Sequence, residues 1–143
     1  MTIREAKQIA KLLNERNQLA RQYTGDAVLA DAANYEYELH EDQIVGCVER
    51  KRVQWYQWEI RHLSVHLDVE GKGVGFAVYR RAEAAAVNGG ACILQCTIRH
   101  GNQESERFFR RQGFSEVSAF HYAQTGNIVG VWQKVLRVPV DPQ

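Results

Sequence analysis

The sequence predicts an α/β domain in which a mixed sheet carries helices on its faces. Three observations lead there. Three strand candidates, the first with period-two alternation, occupy residues 34–65. A glycine-rich segment with Gly71, Gly73 and Gly75 then switches the chain to helical spacing. Helix and strand signals alternate from there to the end. Antiparallel strands followed by a β-α-β-α unit form a mixed sheet.

Taken in order, Ile3, Ala6, Ile9, Ala10, Leu12, Leu13 and Leu19 recur at helical spacing, and Thr2 with Glu5 has the form of a capping box. Gly25-Asp26 is expected to break this helix, and residues 27–33 read either as a short helix or as a loop. Asn34 to Leu39 alternates around Tyr35, Tyr37 and Leu39, and Glu41-Asp42 is a turn. Ile44 to Val53 is a second strand, with Gly46 as its weak point, and Gln54 to Val65 is a third, rich in aromatic and β-branched residues. These three read as an antiparallel meander. Leu67 to Gly75 is a loop and Phe76 to Val87 a helix stopped by Gly89-Gly90. Ala91 to Ile98 is an apolar strand, and Asn102 to Gln112 a helix ended by Gly113. Ser115 to Tyr122 and Ile128 to Leu136 are strands joined at Gly126-Asn127.

The 143 residues fit one domain over residues 1–136, followed by a short tail, 137–143, that holds Pro139 and Pro142 and is expected to fray. With 45% apolar residues and 24% charged ones the composition is that of a globular protein. A net charge of +1 is too small to point to a nucleic-acid or membrane partner. Arg50-Lys51-Arg52, Arg80-Arg81 and Arg110-Arg111 read as solvated surface rather than as phosphate patches. Cys47, Cys92 and Cys96 make neither a disulfide framework nor a metal-ligand pattern, so no metal is expected. The N-terminus lacks the apolar region of a signal peptide, and no apolar run has transmembrane length. A cytoplasmic location is the default expectation.

The segment Val69-Glu70-Gly71-Lys72-Gly73-Val74-Gly75-Phe76-Ala77 lies between a strand and a helix. A helix N-terminus offers unpaired N–H groups and partial positive charge, and glycines let that backbone approach a phosphate. A P-loop fails, because Gly71-Lys72 is followed by Gly73 rather than Ser or Thr. A dinucleotide-binding turn fails too, because Val78 stands where its third glycine belongs. The acyl-CoA loop, Gln/Arg-x-x-Gly-x-Gly/Ala, matches residues 70–75 except at Glu70. The plain alternative is a glycine turn that holds nothing.

A second element, Asn102, Ser105, Phe108, Phe109, Gly113 and Phe114, follows one helix and one strand later. The two motifs in this order resemble the GNAT superfamily of acetyl-CoA-dependent N-acetyltransferases, over about Tyr35 to Leu136. The first helix fits less well, since the opening strand usual in the family is not evident. The resemblance implies the GNAT fold, with a largely antiparallel twisted sheet splayed at the acyl-CoA site along Ile60 to Val65. It implies that pantetheine pairs with the backbone near Leu63, Ser64 and Val65. The pyrophosphate would sit on the amides of Glu70, Gly71, Lys72, Gly73, Val74 and Gly75. Asn102 would bond the pantetheine arm, or serve only as a helix cap, or both. Phe108 would pack against that arm. At Glu70, a carboxylate replaces the usual Gln or Arg, so its side chain is expected to point outward with Lys72 offsetting the charge.

For the base the resemblance points to Glu59, similar in place to the glutamate of the histone-acetylating branch. Walls of Trp55 and Trp58 would suit it, and a surface glutamate paired with Arg61 is the alternative. His62 is the other candidate base, while His66 and His100 are placed at the cleft mouth. An oxyanion donor is expected near Val65. The family's usual acid, a tyrosine, is replaced by Phe109. Then either the thiolate leaves unaided, or Tyr122 or Tyr79 substitutes, or catalysis is lost. The expected function is transfer of acetyl from acetyl-CoA to a primary amine on a small molecule or a protein. The alternatives are a non-catalytic acyl-CoA-binding module and a GNAT acting in nucleic-acid modification. Val129, Val131 and Trp132 are either a homodimer surface or core.

Overall fold

Thr2 fixes where the chain first becomes helical. In the computed structural model, which describes residues 1–17, 19 and 21–138, the Thr2 hydroxyl accepts the Glu5 amide at 3.0 Å and the Glu5 carboxylate accepts the Thr2 amide at 2.7 Å. The expected tail lies outside the described residues from Pro139 on. Helix α1 runs Ile3–Arg16 and buries Ala6, Ile9, Ala10, Leu12 and Leu13. A second helix, α2, Gly25–Ala30, starts where a break was expected. The Thr24 hydroxyl accepts the Ala27 amide at 3.1 Å, so Gly25 opens a helix instead of ending one. A 3₁₀ turn, Ala32–Asn34, leads into the sheet.

Strands β1, Tyr35–His40, and β2, Gln43–Gln54, form an antiparallel hairpin. Its two-residue loop holds Glu41 and Asp42 at φ +50° and +64°, the left-handed conformation that two-residue hairpins require. Strand β3 is Gln57–Val65. It begins later than expected because Trp55 and Tyr56 form the turn before it, their rings edge-on at 5.2 Å, and Gln54 ends β2. After a 3₁₀ turn, Leu67–Val69, come α3, Val74–Asn88, β4, Ile93–Arg99, α4, Gln103–Arg111, β5, Ser115–Tyr122, and β6, Asn127–Val135. Helix α3 opens two residues before the expected Phe76, and Leu136 falls beyond β6. The strand order is β1-β2-β3-β4-β6-β5, mixed as expected, with β3 and β4 parallel and β6 antiparallel to both β4 and β5. The β3–β4 ladder has three pairs, Gln57↔Ile93 to Glu59↔Gln95.

Residue contacts divide the chain into two compact units that share β2, β3 and α3. The first comprises Met1–Lys51 with Ile60–Ala85, and the second Arg52–Glu59 with the chain from Ala86. The first packs α1 and Val28 of α2 against Tyr35, Ile44 and Cys47. A smaller apolar cluster in it, Val45, Val69 and Val74 with Val65 beside them, pins both ends of the glycine turn. In the second, Leu94, Cys96, Ile98, Phe109, Phe114 and Trp132 are buried, whereas β5 is exposed along its length. Trp132 is therefore core rather than surface. All three cysteines are free and buried.

Candidate active site

The glycine turn is built from the strand side. His66 Nδ1 accepts the Asp68 amide at 3.1 Å, and the Glu70 and Lys72 amides donate to the Leu67 and Val69 carbonyls, each at 3.2 Å. Those two amides, expected in the anion set, already donate inside the turn. Gly71 and Gly73 have φ +78° and +81°, and a Cβ at either would meet nothing within 4 Å. Glycine is thus required there by backbone conformation, not by space. The first α3 bond joins the Ala77 amide to the Gly73 carbonyl at 3.0 Å. The amides of Val74, Gly75 and Phe76 consequently precede any intrahelical acceptor and sit at the positive end of the helix dipole. A Cβ on Gly75 would stand 3.2 Å from Val65 Cγ2, so α3 starts hard against the end of β3. This arrangement can receive an anion.

The Glu70 carboxylate is engaged by the end of α1. Its Oε1 accepts from Arg16 Nη2 at 2.5 Å, while Arg16 Nε donates to the Val65 carbonyl at 3.1 Å. Next to it Asn17 Nδ2 donates to Ser64 Oγ at 2.8 Å, and Ser64 Oγ donates to the His62 carbonyl at 2.9 Å. The end of α1 is therefore tied to the strand expected to carry pantetheine. Neither Arg16 nor Asn17 stood out in the sequence, where each reads as an ordinary polar helix-end residue.

His62 lies in β3 with φ +52°. Left-handed backbone at a non-glycine strand residue marks a local break in the pleat, and such strain concentrates at functional positions. Around it two consecutive side chains find partners in the first unit. Arg61 Nη1 is 3.5 Å from Glu49 Oε1, and the His62 ring meets Tyr23 edge-on at 5.6 Å. Burial, then the Arg61 charge, lowers the His62 pKa, so the imidazole is neutral at neutral pH. Burial first and Glu49 second raise the pKa of both Tyr23 and Tyr35. Sequence reasoning missed Glu49, although a carboxylate closing the apolar run Ile44 to Val48 on one strand is itself a signal of a buried polar group.

In the second unit Glu59 pairs in register with Gln95. Its charge contributes, after burial, to pushing the Cys96 thiol up to about 12. Trp58 carries a buried indole N–H without an acceptor, and Trp55 stands 46% exposed on the turn. Asn102 caps α4, its Oδ1 accepting the Ser105 amide at 3.3 Å. Phe108 meets Phe109 edge-on at 5.2 Å, and Phe109 meets Phe114 at 5.1 Å. Phe109, at the place of the family's tyrosine, is thus a buried core ring. The Tyr122 hydroxyl donates to Gln124 at 2.7 Å within its own hairpin, and His100 pairs with Glu116 at 2.5 Å. In the first unit the Tyr79 hydroxyl donates to Glu83 at 2.9 Å inside α3. Among the described residues no three His, Cys, Asp or Glu side chains cluster to hold a metal, and no helix is long and apolar enough to cross a membrane.

No curated protein sequence is a significant match. Among solved structures the chain is similar to yncA, a putative acetyltransferase from Salmonella typhimurium with its cofactor acetyl-CoA. The TM-score is 0.84 at 17% identity, covering 100% of this chain and 95% of that one. It is similar to Ard1 from Thermoplasma volcanium, with TM-score 0.81, 17% identity and coverage of 96% and 95%. It is also similar to the ribosomal-protein-alanine N-acetyltransferase from Brucella melitensis, with TM-score 0.79, 18% identity and coverage of 95% and 97%. These likenesses show the fold. The sequence itself matches the model of the acetyltransferase (GNAT) family over residues 7–114, a stretch that holds the α1 terminus, strand β3 and the glycine turn and ends on Phe114. The chain belongs to the acetyltransferase (GNAT) family.

Proposed function

We propose that this chain is an N-acetyltransferase that transfers the acetyl group of acetyl-CoA directly to a primary amine. The observation that carries the reading is the turn at residues 70–75. Two glycines with positive φ hold the backbone so that the free amides at the α3 N-terminus accompany the end of β3. The diphosphate of CoA matches those amides in charge and donor need. Leu63, Ser64 and Val65 offer backbone to the pantetheine arm. The Ser64 hydroxyl is engaged with His62 and Asn17, so Ser64 contributes through its backbone alone.

In the transfer the amine nitrogen forms a bond to the thioester carbon, and the C–S bond breaks with its electron pair going to sulfur. The amine proton passes to a base. His62 fits that task because burial keeps its imidazole unprotonated at neutral pH. Glu59 remains the competing base, and a backbone amide near Val65 is the oxyanion donor. Phe109 has no proton to give, so the thiolate, a good leaving group, departs unaided.

That transfer is expected in the cytoplasm, where thiols such as the three free cysteines stay reduced. Titration with acetyl-CoA, followed by free-thiol release over a panel of polyamines, amino sugars and peptide N-termini, tests the proposal. Thiol release on at least one amine supports it. Binding of CoA with no release on any amine would leave a binding module, the reading that the buried Phe109 favours.

A further inference from the structure

The loop pattern places Gln or Arg where this chain has Glu70, yet a cation stands at that point in space. It comes from the last residue of α1. We infer that Arg16 supplies from the first helix the positive charge that the loop lacks, and that it binds the diphosphate of CoA. The inference rests on the acetyl-CoA reading above and adds a residue to it.

Arg16 is held at both ends of the strand-to-loop junction, by the Val65 carbonyl at 3.1 Å and by Glu70 Oε1 at 2.5 Å. Asn17 fixes its backbone by bonding Leu13 O at 2.9 Å and Ser64 Oγ at 2.8 Å. A guanidinium has five N–H groups in a rigid fork, and these two bonds use two of them. The others are available to phosphate oxygens beside the free amides of the glycine turn. Without Arg16, the Glu70 carboxylate would repel a diphosphate. With it, Glu70 becomes the anchor that orients the fork, and Lys72 adds a second positive charge on the exposed turn. The pair is half-exposed, so removing it costs little folding stability, and its effect is read in binding.

The test measures dissociation constants by calorimetry for CoA and for pantetheine, which lacks the diphosphate, with melting temperature as a folding control. Arg16→Ala is expected to weaken CoA about tenfold and to flatten the salt dependence of its affinity, while pantetheine binding stays unchanged. Arg16→Lys, which keeps the charge and loses the fork, falls between. Glu70→Arg introduced into Arg16→Ala returns CoA affinity to within about threefold of the parent by restoring a loop cation. CoA affinity unchanged in Arg16→Ala overturns the inference. So does equal loss of CoA and pantetheine, which would make Arg16 only a brace for Val65, or failure of Glu70→Arg to rescue. A parent protein that binds neither compound would instead sink the acetyl-CoA reading itself.

Discussion

The His62 ring stands edge-on to Tyr23, with centroids 5.6 Å apart and planes at 76°, on a β3 residue whose φ is +52°. The backbone departure is what delivers the imidazole to that neighbour. A regular strand would send Arg61 and His62 to opposite faces. Here Arg61 reaches Glu49 and His62 reaches Tyr23, and Glu49 is itself within electrostatic range of Tyr23. The kink thus joins the two residues to one polar cluster at the strand proposed to carry the thioester.

This placement makes a pH prediction. Burial and Arg61 hold the His62 pKa below the ordinary 6.5. The acid limb of kcat/KM should therefore have its midpoint below 6.5 and should vanish in His62→Gln along with most of the activity, about 100-fold or more. The same shift fixes the sign for stability. The unfolded chain takes up the proton first, so stability is lost as pH falls from 6.5 through the folded value. His62→Gln should flatten that decline, read as melting temperature between pH 7 and pH 5. A parental acid limb that survives in His62→Gln would move the base to Glu59.

The glycines near the turn make distinct predictions. At Gly73, φ is +81° with open space around the missing side chain. Gly73→Ala should cost about 1 kcal/mol by backbone strain alone and weaken CoA as the turn relaxes. At Gly46 the reverse holds, since an added Cβ would stand 2.5 Å from Val74 Cγ1. Gly46→Ala should cost about 1–3 kcal/mol through overpacking, and Val74→Ala in the same chain should recover part of it. The same second change should do nothing for Gly73→Ala. Urea denaturation of the four variants decides this.

The fold and the glycine turn were legible in the sequence because their signals are local. Thr2 with Glu5 announces its own helix, and the spacing of Gly71 and Gly73 states a backbone requirement that no other residue meets cheaply. The strand limits at Gln54 and Ala91 slipped where aromatic and apolar residues continue past the last ladder partner into a turn. Gly25 misled because its neighbour Thr24 outranks it as a cap. What stayed hidden was long-range. Arg16 meets Glu70, and Glu49 meets Arg61, only after α1, β2 and β3 have packed. Single residues far apart on the chain leave no periodicity to read.

Glu49 should matter to folding more than any surface pair. It is 3% exposed, its Oε1 has no hydrogen-bond partner, and Arg61 lies 3.5 Å away. Tyr35, also buried, hydrogen-bonds this carboxylate, which helps to keep its hydroxyl protonated well above the ordinary value of 10. Tyr35→Phe should cost about 1–2 kcal/mol by leaving the buried carboxylate with one donor fewer. Stability should fall in the parent as pH rises above 10, because the unfolded tyrosine ionises first. That part of the alkaline loss should be absent in Tyr35→Phe. Guanidinium denaturation at pH 8 and pH 10.5 measures both effects, and equal alkaline loss in the two proteins would contradict the assignment.

Phe109 is where the chemistry of this chain departs most from its family pattern, and it gives the sharpest kinetic prediction. Its ring is 6% exposed, edge-on to both Phe108 and Phe114, so it serves as packing in the second unit. If the thiolate leaves without an acid, the transfer step carries the full cost of expelling it into solvent. Phe109→Tyr adds a hydroxyl at the position from which related enzymes are expected to donate. A general acid contributes about 10²–10⁴-fold at most, and an unoptimised one much less. An increase in kcat of about tenfold is expected, with CoA affinity unchanged and a new alkaline limb near the tyrosine pKa of about 10. If the hydroxyl instead stays buried without a partner, the variant loses about 1–3 kcal/mol of stability and gains no rate. That outcome would place the departing sulfur away from residue 109.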